Sequence, residues 1–66
     1  MNYVIEFDRE EDGRWIAEIS ALPGAMSYGN SKEEAESKVQ AIALRTIADM
    51  LERENKTTDH VQFAAA

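Results

Sequence analysis

The chain has 66 residues, no cysteine, and thirteen acids against seven bases, for a net charge of −6. One small domain is all that this length allows, burying only about 60% of the surface exposed by the unfolded chain; without thiols there is neither a disulfide staple nor a thiolate metal site, so self-association or a partner is the expected source of extra burial. The acid excess disfavours nucleic acid and anionic membrane and favours a basic protein partner, and with no apolar run near the roughly 20 residues of a membrane span and no signal-peptide pattern, a cytoplasmic domain is expected.

Residues 3–8 alternate, with Tyr3, Ile5 and Phe7 pointing one way and Val4, Glu6 and Asp8 the other, which predicts a strand with one buried face. Residues 14–20 repeat the pattern, Trp15, Ala17 and Ile19 against Ile16, Glu18 and Ser20. The Asp12-Gly13 pair between them signals a hairpin, with Arg9 to Gly13 as a five-residue loop. Leu22-Pro23-Gly24-Ala25 then reverses the chain: proline presets φ for the second position of a type II turn and glycine takes the positive φ of the third. Ala25 to Tyr28 can add a third strand beside the second. Ser31 opens a capping box, its oxygen taking a helix N–H while Glu34 reaches back to the serine N–H. Apolar residues at Ala35, Val39, Ile42, Ala43, Ile47, Met50 and Leu51 carry a helix from Lys32 to about Glu54. Glu34 with Lys38 and Asp49 with Arg53 are favourable i,i+4 pairs on it. After a polar connection, His60 to Ala64 alternates weakly, with Val61 and Phe63 in phase, and predicts a short fourth strand returning beside the first. The expected fold is therefore α+β, in the order β-β-β-α-β: a three-stranded antiparallel sheet plus a short fourth strand, with one helix packed on one face.

Charge is uneven along the chain. Residues 1–31 hold six acids against two bases, and residues 32–66 hold seven against five. Asp8-x-Glu10-x-Asp12-Gly13 resembles the opening of a calcium loop, but loop position twelve is Ile19 and the flanks are strands, so a solvated or partner-docking hairpin is the better reading and no metal is expected. Glu6 and Asp8 share a face to which only Glu18 adds an opposing acid, too few converging carboxylates for magnesium-dependent cleavage. His60, the only histidine, has no placed nucleophile or second ligand and reads as a surface residue. On the helix, Leu44, Leu51 and Ala48 widen the apolar arc beyond what one sheet needs, and a subunit contact is expected there.

Four motifs in one order, Tyr3-x-Ile5, Asp12-Gly13-x-Trp15-x-Ala17, Leu22-Pro23-Gly24 and Gly29-Asn30-Ser31-x-Glu33-Glu34-Ala35, resemble the HicB-like antitoxin family over roughly residues 3–51. That resemblance implies a partial ribonuclease-H-like fold without catalysis, and binding of a small basic messenger-RNA-cleaving toxin, HicA, by covering its active site. It also implies self-association. Many relatives carry a C-terminal DNA-binding segment; nothing after Phe63 provides one here, so direct nucleic-acid binding is not expected. Ala25 stands where the family often has cysteine. The expectation is a non-catalytic, cofactor-free interaction protein using Glu6, Asp8, Glu10, Glu11, Asp12 and Glu18 for the toxin and Leu44, Ala48 and Leu51 for a second copy. The alternatives are a stand-alone self-associating domain and a vestigial metal-dependent nuclease.

Overall fold

A computed structural model describes residues 1–66 as β1 (Asn2–Arg9), β2 (Trp15–Glu18), β3 (Met26–Gly29), α1 (Lys32–Glu54) and β4 (Gln62–Ala65). The sheet order is β3-β2-β1-β4. The first three strands are antiparallel neighbours, and β4 returns parallel to β1. This is the expected α+β arrangement. Its boundaries differ locally: β2 stops at Glu18 because the chain turns there, the Leu22 N–H closing on the Ile19 carbonyl at 3.0 Å, and β4 starts two residues later than predicted.

The β1–β2 connection is tighter than a five-residue loop. Arg9 stays in the strand, Glu10 N–H donates to the Arg14 carbonyl at 2.7 Å, and Gly13 N–H closes a turn on the Glu10 carbonyl. Gly13 has φ +93. This is a three-residue hairpin loop, in which a turn is followed by a glycine in the left-handed region. At the next reversal Ala25 N–H donates to the Leu22 carbonyl at 3.1 Å and Gly24 has φ +79, as the Pro23-Gly24 pair requires.

Helix α1 starts where Ser31 Oγ accepts the Glu34 N–H at 3.1 Å. Glu34 reaches back, but to the N–H of Asn30 at 3.0 Å and not to that of Ser31. Both predicted i,i+4 ion pairs form, Glu34 with Lys38 and Asp49 with Arg53. Asn55 ends the helix in the left-handed region, φ 52, with its own N–H and that of Lys56 both directed at the Leu51 carbonyl.

The buried core is Ile5, Ala17, Ile19, Leu22 and Ala25 from the sheet side and Ala35, Val39, Ala43 and Ile47 from α1, with no buried polar or charged residue. Four of these nine are alanine, which lets helix and sheet backbones come close. The closest approach is at Gly29, where an added Cβ would lie 2.5 Å from the Ala35 backbone nitrogen. That contact places α1 over β3 and β2. The helix seats closest to β3 and β2, while Ile5 of β1 is fully buried in the same core and Tyr3, Phe7, Val61 and Phe63 pack at its margin; the molecule is elongated, 42 × 18 × 16 Å. At that margin Tyr3 and Phe63 pack ring to ring, 6.2 Å between centroids, and remain half-buried.

Gly29→Ala forces a methyl group against helix backbone that cannot step aside, so it costs about 1–3 kcal/mol of stability, read as a drop in urea midpoint. The Glu34 carboxyl is held below the ordinary 4.5 first by the Asn30 N–H and then by the Lys38 charge. A depressed folded-state value gives stabilisation that is present above the unfolded value and lost as pH falls through the folded one. Glu34→Gln accordingly lowers the urea midpoint above pH 4.5, and the two proteins converge as pH drops below it.

Candidate functional site

Strand alternation and register define an outer sheet face, opposite the helix. Along β1 it carries Val4, Glu6 and Asp8; along β2, Ile16 and Glu18; along β3, Met26 and Tyr28. Asp8 stands across from Ile16 and Ile16 from Tyr28, while Glu6 stands across from Glu18 and Glu18 from Met26. Two carboxylates directly opposed in an antiparallel pair repel each other. Neither is neutralised: Glu6 Oε1 accepts only a long 3.5 Å bond from Ser20 Oγ, and Glu6, Asp8 and Glu18 take part in no ion pair.

The bases that could have served them are engaged elsewhere. Arg14, leading into β2 on this side, lies 4.8 Å over the Tyr28 ring and is held by Asp12 at 2.8 Å. Arg9 lies over Trp15 and Lys32 over Phe7, on the helix side of the sheet. The result is three exposed carboxylates without counter-ions, bordered by apolar side chains that are also open to solvent, Val4 at 54%, Met26 at 45% and Tyr28 at 38%. Those apolar neighbours were missed as site residues; the signal was Val4 and Ile16 falling in phase with acids, where a face meant only for water would carry polar residues.

The six predicted acids thus divide. Glu6, Asp8 and Glu18 share the outer face, whereas Glu10 flanks the hairpin loop and Glu11 and Asp12 lie within it. Asp12 is occupied within that loop, accepting the Arg14 N–H at 3.0 Å and its Nε at 2.8 Å, and its carboxyl is held below the ordinary range first by that backbone bond and also by the guanidinium. No three acid, histidine or cysteine side chains come together as a metal ion would need. His60 is exposed beside Asp59 at 3.2 Å. The chain's concavity, an open recess of about 220 Å³ among Arg14, Tyr28, Asn30, Glu34 and Lys38, lies where β3 meets α1, and both of its cations are already paired. No helix is long and apolar enough to cross a membrane.

On the helix, Leu44 is 49% exposed and Ala48 is exposed. Leu51 is half-buried and packs against the core.

The distinctive surface of this small α+β domain is an unneutralised acidic and apolar sheet face. The UPF0150 protein Ta0767 of Thermoplasma acidophilum is 30% identical to this chain over 56 residues, covering 85% of this chain and 80% of that protein. The chain belongs to the UPF0150 family. No protein-family model matches it, and no solved structure does.

Glu18→Lys converts the repelling Glu6–Glu18 position into an attractive pair and raises stability by about 0.2–1 kcal/mol. The gain shrinks as salt is added; urea midpoints at low and high salt check both statements, and a lower midpoint at low salt refutes the repulsion.

Proposed function

We propose that this chain is an antitoxin-type interaction protein that binds a small basic HicA-like messenger-RNA-cleaving protein and occludes it, without catalysis or cofactor of its own. The observation that carries this reading is the outer face on which Glu6, Asp8 and Glu18 have no cationic partner within the chain. A basic protein supplies the missing charges, and Val4, Ile16, Met26 and Tyr28 supply apolar area around them. The motif resemblance to HicB-like antitoxins supports the same partner class. Glu10 and Glu11, at the hairpin tip, extend the acidic surface toward it, whereas Asp12 shapes the loop.

The mechanism is steric and electrostatic. Attraction brings the partner in, and the apolar contacts set how long it stays. Because the partner cleaves messenger RNA, the setting is cytoplasmic. A second copy of the chain also binds, and the exposed flank of Leu44 and Ala48 with the partly covered Leu51 is one candidate surface for it, since an exposed leucine forgoes part of the about 1.5–3 kcal/mol its burial yields.

The test is a messenger-RNA cleavage assay with a basic toxin-like protein recovered from the source cells on the immobilised chain. Stoichiometric chain stops cleavage, and binding weakens as salt rises. The double substitution Glu6→Lys with Glu18→Lys leaves the fold intact and weakens binding by more than about tenfold. Binding that is indifferent to both salt and this double substitution overturns the acidic-face reading.

A further inference from the structure

The two edges of the sheet are not alike. On β3 the outward-facing Met26 N–H is turned back onto the Gly24 carbonyl at 3.0 Å, Arg14 lies over Tyr28, and α1 packs above the strand. That edge is blunted. On β4, Gln62 N–H donates to the Met1 carbonyl and Ala66 N–H to the Ile5 carbonyl, so alternation points the backbone groups of Val61, Phe63 and Ala65 away from β1. They face an edge with no strand beside it. It lacks the usual protections of an edge: Gln62–Ala65 contains no lysine, no proline and no charge.

We propose that the β4 edge is the site of self-association, with β4 of a second copy adding antiparallel about a two-fold axis at Phe63. In that register Phe63 faces Phe63 and Val61 faces Ala65 of the second copy, so all three outward residues exchange backbone hydrogen bonds. The sheet becomes continuous through two domains. The two Phe63 rings meet across the axis on the helix side, each flanked by its own Tyr3, and the half-exposed aromatic pair of each domain is covered.

Charge selects the occupant. Each chain carries −6, so two copies repel over most of their surfaces, and an approach through the outer face would bring Glu6, Asp8 and Glu18 against their own images. An uncharged strand lets identical copies meet without that cost, while a basic partner is drawn to the acids instead. The inference rests on the self-association proposed above and assigns its principal contact to a strand edge instead of the Leu44 flank.

The test is sedimentation of the full chain at micromolar concentration together with two variants. Ala65→Pro removes an N–H that the isolated domain does not use, a placement tolerated on an edge strand, so it keeps the fold and raises the dimer dissociation constant by at least about tenfold. Leu44→Asp leaves the dimer in place. An Ala65→Pro dimer as tight as the parent overturns the strand pairing; if Leu44→Asp then dissociates, self-association stands with the helix flank as its site. A parent chain that stays at 7.4 kDa overturns both. Amide exchange gives a readout free of substitutions: the Phe63 and Ala65 N–H groups become protected as concentration rises, and their failure to do so in a dimer also overturns the pairing.

Discussion

The contact on which the rest of the structure depends is backbone against backbone, where β3 ends and α1 begins. Gly29 has no side chain, and the Ala35 nitrogen occupies the space that one would fill. With the helix anchored so near the sheet, only small residues fit along the contact, and Ala17, Ala25, Ala35 and Ala43 are what the core provides there. The larger Ile5, Ile19, Leu22, Val39 and Ile47 fill the remainder. Close seating over β3 and β2 leaves the side chains of Tyr3 and Phe63, toward the β4 edge, only half-buried. One missing methyl group thus sets how closely the helix seats on β3.

Much of this was legible in the residues because it is local. Alternation in Tyr3–Asp8, the Pro23-Gly24 reversal, the Ser31 cap and the helix pattern each rest on chemistry contained within a few positions. What escaped was set by tertiary distance. The closeness of Gly29 to Ala35 is a property of two elements, and neither element alone announces it. Glu34 reaching Asn30, one residue beyond the predicted acceptor site, reflects the path of the chain into the helix. Asn55 was a readable signal, since asparagine tolerates the left-handed conformation that stops a helix. At the candidate site the acids were visible, but the directly opposed Glu6 and Glu18 needed the strand register, and the division between sheet-face acids and loop acids needed the hairpin's true length.

The surface is partitioned by what each charge already does. Asp12 ties down Arg14, Glu34 ties the helix start to Asn30 and Lys38, and three cations lie against aromatic rings. Those groups maintain the fold. Glu6, Asp8 and Glu18 are left without a cationic partner; Asp8 accepts the Arg9 N–H at 2.8 Å and Glu6 only a long bond from the Ser20 hydroxyl, so their charges stay unneutralised. Apolar side chains are interleaved with them, and the exposure of Met26, Tyr28 and Val4 gains the isolated domain nothing.

The parallel return of β4 beside β1 has a bearing on how the molecule comes into being. The Met1 ammonium meets the His60 carbonyl across a separation of 59 residues, and no neighbour nearer in sequence takes that side of β1. A nascent chain must therefore carry β1 with one margin bare while about fifty further residues are made. During that interval the hairpin and the early helix can already condense, whereas the final strand docks late onto a scaffold prepared for it. A chaperone, or a stray extended peptide, would find its opening at β1 before the chain's own closing segment arrives.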